Sequence, residues 1–177
     1  MQPPAEASRV SGVTSSEADF DAFYRAYHSR LVAMAYGLAG DLGEAQDLAQ
    51  EAFCRLWRRW DEVAQYEQPG AWIRRVVANL ATSRWRHLRV ARAHLHRELR
   101  LDAPDLEPDH VALVAALKRL PVNQRRAVVL HYVVDLPVTQ VAEELGVPVG
   151  TVKAWLHRAR QTLAGLLAET FERVIEP

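Results

Sequence analysis

At 177 residues, with 22 basic side chains balancing 22 acidic ones, the chain has room for one or two domains and no more. Its 49% hydrophobic and 25% charged residues exclude a disordered or fibrous chain, and its single cysteine, Cys54, excludes a disulfide framework and a cysteine-rich zinc module. No apolar run approaches the roughly 18 residues that cross a bilayer, and the start lacks the blocks of a signal peptide, so a soluble, cytoplasmic protein is expected.

Residues 1–15 mix Pro, Ala, Ser and Gly without periodicity and read as a disordered arm. From Ser16 onward, Phe20, Phe23, Tyr24, Tyr27, Leu31, Met34 and Leu38 recur at three- and four-residue steps, which predicts a first helix stopping near Gly40. Asp41 and Glu44 resemble a capping box, and Ala45, Leu48, Ala49, Ala52, Phe53, Leu56, Trp57 and Trp60 form the stripe of a second helix. Cys54 reads as a packed side chain of that helix. Asp61 to Gln68 is a polar loop, and Pro69 suits the first turn of a third helix running toward Arg100. On that helix Trp72, Ile73, Val76, Val77 and Leu80 gather on one side. Arg75, Asn79, Thr82, Arg86 and Arg89 fall within a stripe about 80° wide on the other.

Net neutrality hides a division of charge. Residues 67–100 carry eight arginines against Glu67 and Glu98, whereas residues 101–117 carry four acids and no base. Such asymmetry suits one surface to a polyanion and another to a different partner. Residues 101–109, with two prolines and those four acids, read as an extended acidic linker between a domain over 16–100 and a second over 110–177. Beyond it, Val111, Val114, Leu117 and Leu120 make one stripe, and Val128, Val129, Tyr132 and Val133 another. The fold class is therefore all-α, two small helical domains joined by a flexible linker.

The segment from Val138 to Arg160 has helix-turn-helix spacing. Ala142 is small where two helices cross, Gly146 permits a left-handed turn, and Val147, Val152 and Leu156 are apolar where the second helix buries itself. Lys153, Ala154, His157, Arg158, Arg160 and Gln161 stay off that buried stripe and offer a basic, polar face to a DNA major groove; a plain helical hairpin with a solvated face is the alternative.

Four stretches in this order, Ala45 to Trp57, Ala71-Trp72-Ile73-Arg74-Arg75-Val76-Val77-Ala78-Asn79, Leu117-Lys118-Arg119-Leu120-Pro121 and Pro148-Val149-Gly150-Thr151-Val152-Lys153, resemble those of the extracytoplasmic-function (group 4) sigma factors of bacterial RNA polymerase. The resemblance spans residues 18–168. It implies a non-enzymatic subunit, without cofactor or metal, that docks on core polymerase, touching the clamp of its largest subunit and the flap of the second-largest. Asp47, Gln50, Glu51 and Arg55 stand at positions matching the clamp contact. Tyr66, Arg75, Asn79, Thr82, Arg86 and Arg89 match the element that recognises and melts minus-10 DNA, where flipped bases meet polar pockets and cations follow the backbone. Thr151, Lys153, Ala154, His157, Arg158 and Arg160 match the minus-35 contact with promoter DNA. Many members of the family are held inactive by an anti-sigma protein. Trp72 reads first as a core residue, while Trp85 suits core or stacking equally.

The seven histidines do not compose a metal site: His94 and His96 are two apart, off a common helix face, and no thiol or carboxylate joins them at ligand spacing. No phosphate loop or nucleophile elbow is present in the sequence. The rival reading is a stand-alone helix-turn-helix regulator whose N-terminal helical domain senses a ligand or dimerises.

Overall fold

Apolar residues at three- and four-residue steps make helix the structure of the chain, and among the described residues there are eight α-helices and no strand. The computed structural model describes residues 6–94 and 108–175, with side chains over 16–84 and 111–168.

α1 (Glu6–Ala39) buries Leu31, Met34, Ala35 and Leu38. Asp41 then caps α2 (Leu42–Trp57), its carboxylate accepting the Glu44 N–H at 2.7 Å, as the capping pattern predicts. α2 lays Ala45, Leu48, Ala49, Ala52, Phe53 and Leu56 against α1, and α4 (Pro69–His94) completes the N-terminal bundle with Ile73 and Val77. Each large aliphatic side chain removed from water here contributes roughly 1.5–3 kcal/mol.

The structure departs from the sequence expectations at several points. α1 starts at Glu6, so the expected arm over 1–15 is helical from that residue, and residues 1–5 lie outside the described chain. No proline lies between Pro4 and the end of α1, and a helix already nucleated by a packed segment extends at little cost. The expected loop from Asp61 to Gln68 instead opens on a one-turn helix, α3 (Trp60–Val63). Burial of Trp60 and Val63 drives it, and the Trp60 indole N–H donates to the Ser16 carbonyl at 3.0 Å. Trp57 remains 48% exposed at the end of its stripe. The end of the third predicted helix toward Arg100 and linker residues 101–107 lie outside the described chain. α5 (Pro108–Arg119) begins within the expected linker, with proline at its first position.

In the C-terminal half α6 (Val122–Val128) runs into a π-helical turn over Val129–Val133, so the β-branched stretch is helical. α7 (Val138–Leu145) and α8 (Val149–Ile175) follow. Gly146, at φ +67°, ends α7, and the Val147 N–H bonds back to the Ala142 carbonyl at 3.0 Å, so the turn between α7 and α8 needs the left-handed residue the sequence supplies there.

The two halves meet along a seam and share one hydrophobic core, which runs from Leu31 on α1 to Ala159 on α8. α1 packs on α5, α6 and the π-helical turn. Gly37 makes this approach possible: a Cβ there would lie 2.9 Å from Val129 Cγ2. Arg125, 5% exposed, donates to the Leu38 carbonyl at 2.8 Å and to the Lys118 carbonyl at 3.3 Å. These are the C-terminal ends of α1 and α5, where the helix dipole favours a cation. Burial pushes the pKa of Arg125 and Arg126 below the ordinary guanidinium value.

Candidate nucleic-acid interface

α8 presents the simpler surface. Val152, Leu156 and Ala159 are buried with Val141 and Ala142 of α7, which turns the rest of the helix outward. Lys153, His157, Arg158 and Arg160 are exposed, and Thr151 and Ala154 are half-buried at the edge of the face. The Thr151 N–H donates to the Pro148 carbonyl at 2.9 Å, fixing the start of the helix. Among the described residues none of Lys153, Arg158 and Arg160 pairs with a carboxylate, so three cations stand free for an anionic partner.

The N-terminal half builds a second surface from two elements. A groove of about 580 Å³ between the end of α2 and α4 is lined by Arg55, Arg58, Arg59, Trp72, Arg75, Val76 and Asn79. Arg75 and Asn79 are exposed on α4, in agreement with the polar stripe read from the sequence. Arg58 and Arg59 come from the turn that ends α2, and the Arg59 guanidinium lies over the Trp72 ring, 5.7 Å from its centroid. Trp72 is half-buried, packing one side on the core while lining the groove with the other. Four guanidinium groups, an indole and an amide therefore meet at one open site.

Arg59 is also held by Glu62, at 2.7 and 3.0 Å, and the Tyr66 hydroxyl donates to Glu62 at 2.5 Å. The Glu62 carboxyl is drawn below its usual range first by the Tyr66 hydroxyl and then by Arg59, while the bond to Glu62 raises the Tyr66 pKa. Tyr66 is 39% exposed and stands outside the groove lining. Thr82 turns away from it: its hydroxyl donates to the Ala78 carbonyl at 2.7 Å, and it lines a small cleft with Val122, Arg125 and Arg126 of the other half. The helical positions of Arg86 and Arg89 continue along α4, with side chains outside the described residues.

A third surface lies on the other flank of α2. Asp47, Gln50, Glu51 and Arg55 line a shallow groove of about 530 Å³ with Cys54, Leu80, Ser83 and Arg84. Glu51 accepts from Arg55 at 2.8 Å, a pair one turn apart, and Arg84 reaches Asp47 at 3.9 Å and Glu44 at 4.0 Å. Arg55 thus borders both the acidic groove and the cationic one. Cys54 is exposed, not packed as its neighbours in sequence suggest, because it follows Asp47, Gln50 and Glu51 by seven, four and three residues and shares their outward face. Arg84 is the cation that sequence reasoning left out of these sites, and Arg58 and Arg59, whose places in the sequence suit either the clamp-facing surface of Arg55 or pairs along α2, line the cationic groove instead. Their positions in the chain give no sign of which other helix they meet.

Comparison with known proteins gives one answer for both halves. Residues 23–99 match the family described as Sigma-70 region 2, and residues 110–163 match Sigma-70, region 4. The RNA polymerase sigma-E factor of Streptomyces coelicolor is 33% identical over 161 residues, covering 89% of each chain. The ECF RNA polymerase sigma factor SigW of Bacillus subtilis is 28% identical over 154 residues, 77% of this chain and 82% of that one. Among solved structures, the sigma factor RpoE of Bartonella quintana, in complex with the anti-sigma factor NepR, superimposes with a TM-score of 0.71 at 24% identity over 85% of this chain and 97% of that one. The extracytoplasmic-function sigma factor SigJ of Mycobacterium tuberculosis gives 0.56 at 27% identity, over 80% and 52%.

Proposed function

Since the chain belongs to the sigma-70 family, in its extracytoplasmic-function group, it binds core RNA polymerase and directs promoter-specific initiation, and we propose that its three surfaces divide that task. Sigma factors are initiation factors, and the polymerase performs the catalysis. The α2 groove of Asp47, Gln50, Glu51 and Arg55 meets the clamp of the largest polymerase subunit, which requires Arg84 to release Asp47. α8 enters the major groove of the minus-35 element, with Lys153, Arg158 and Arg160 supplying cations and His157 and Thr151 polar contacts.

The observation that carries the reading is the groove between α2 and α4. A melted strand offers phosphates, base faces and base edges at once, and this site gathers the complement of each: Arg55, Arg58, Arg59 and Arg75 for phosphate, Trp72 for a face, Asn79 for an edge. Arg86 and Arg89 extend the cationic track along α4. Tyr66 stands beside the groove to stack on a base, and Thr82 reaches DNA only after the halves part. The flap of the second-largest subunit is the proposed contact of the C-terminal half, and the cytoplasm the proposed compartment. Among the described residues no helix is long and apolar enough to cross a membrane.

The test adds the purified chain to core polymerase and sequences the transcript starts. Starts at promoters sharing a minus-35 and a minus-10 element are expected. A chain that shifts duplex DNA tightly alone and adds nothing to core-dependent transcription would be the stand-alone regulator instead.

A further inference from the structure

One polar contact between the halves is almost wholly shut off from water. Arg74 of α4 and Glu144 of α7, seventy positions apart, form an ion pair whose side chains are 9% and 6% exposed, with Arg74 Nε donating to Glu144 Oε1 at 2.9 Å. Beside it the Gln140 amide donates to Gln68 at 2.8 Å. The pair thus fastens the head of the minus-10 helix to the helix-turn-helix. Those two elements serve DNA sites about 25 base pairs apart, roughly 85 Å at 3.4 Å per pair, so a chain in which they touch cannot occupy both.

We propose that the Arg74–Glu144 pair is a latch that holds the free chain in a closed, self-inhibited form, opened when core polymerase separates the halves. The reading of the chain as a sigma factor underlies the inhibitory role; the closure itself does not depend on it. The chemistry suits a catch better than a glue. Burying two charges costs most of what their attraction returns, whereas parting them into water restores the hydration of both. The seam also buries Arg125 Nε and Arg126 Nε without a partner among the described residues, and separation rehydrates these as well. Thr82, turned into the seam when the halves are closed, is then released to the side of α4 that faces DNA.

The experiment measures energy transfer in single molecules of the full chain, labelled at Cys54 and at a cysteine introduced by Gln161→Cys, both exposed, while transcription is measured on the unlabelled chain that keeps Gln161. The parent should populate one high-transfer state. Arg74→Glu and Glu144→Arg should each lower the closed-to-open ratio about a hundredfold, because each sets two like charges against one another in a buried site, while circular dichroism stays helical. The double reversal R74E/E144R should restore most of the closed population. A third pair, R74M/E144L, fills the site with apolar side chains; it should keep the chain closed and lower core-dependent transcription several-fold at limiting chain. Single reversals that leave transfer unchanged, or a double reversal as open as either single, would overturn the latch. Undiminished transcription by R74M/E144L would overturn its inhibitory role. A parent that closes but never supports core-dependent transcription would refute the sigma-factor reading and leave the latch standing.

Discussion

The groove of the N-terminal half and the face of α8 are built on opposite plans. The face belongs to one helix: Val152, Leu156 and Ala159 anchor it, and every cation it offers follows from its own register. The groove belongs to no single element, since Arg58 and Arg59 at the end of α2 meet Trp72, Arg75 and Asn79 only because Leu56, Ile73 and Val77 pack the two helices together. A one-helix surface slides into a duplex groove as a rigid rod, which suits base-edge reading. A two-helix surface encloses space, which suits a strand already unpaired. The same division predicts where damage travels: loosening the bundle should destroy the second kind of site and spare the first.

The sharpest way to break this contrast is Leu56→Ala. Leu56 is fully buried, so its truncation should cost about 2–5 kcal/mol in urea unfolding and abolish promoter opening under conditions where the chain stays folded. A loss under 1 kcal/mol would mean the groove does not depend on this packing. A step smaller, Arg158→Ala should cost about 1–3 kcal/mol at one position of the minus-35 element, whereas Arg58→Ala should weaken holoenzyme binding evenly across sequences and reduce its salt slope by about 1. Titrations over a panel of single-base promoter variants distinguish the two patterns. Asn79→Ala refines the same comparison: permanganate reactivity of the melted strand should fall more than closed-complex formation in a mobility shift, and equal losses would remove Asn79 from the melting step.

Smaller effects remain. Gly146→Ala meets no neighbouring atom, so its cost, about 1–2 kcal/mol in thermal unfolding, comes from the left-handed backbone alone. No change in stability would show that the turn relaxes. Tyr66→Phe removes the leading cause of the lowered Glu62 pKa. Because that carboxyl is depressed in the folded chain, its tie to Arg59 and Tyr66 holds above the ordinary carboxylate range and is lost as the pH falls. An NMR titration of the variant should show Glu62 moving upward, and an unmoved midpoint would assign the shift to Arg59.

What the sequence makes legible is local. The stripe through Leu31 and Met34, the Asp41 cap, the proline that opens α4 and the glycine between α7 and α8 each act within a few residues of themselves, and each appears where spacing puts it. The face of α8 is legible for the same reason. The groove is legible only on its α4 side, since periodicity locates Arg75 and Asn79 on one helix but is silent about Arg59 crossing to Trp72. The seam is less legible still. Arg74 stands beside Arg75 in the chain with the same charge, and only the fold turns one inward to Glu144 and leaves the other in water. Composition marks an acidic tether, which is compatible with separated halves and with joined ones, so the shared core had to be seen in three dimensions. α1 before Ser16 escaped for the opposite reason: its residues carry little amphipathic signal of their own.

Arg125 carries a consequence for substitution. Its guanidinium is a planar fork whose two prongs bind carbonyls on different helices, 2.8 Å and 3.3 Å away. Lysine would bring the same positive charge on a single tip and hold one anchor at most. An exchange usually counted as mild would therefore untie the end of the first helix from the fifth, and chains diverging at this position should be expected to change their domain geometry before they change their chemistry.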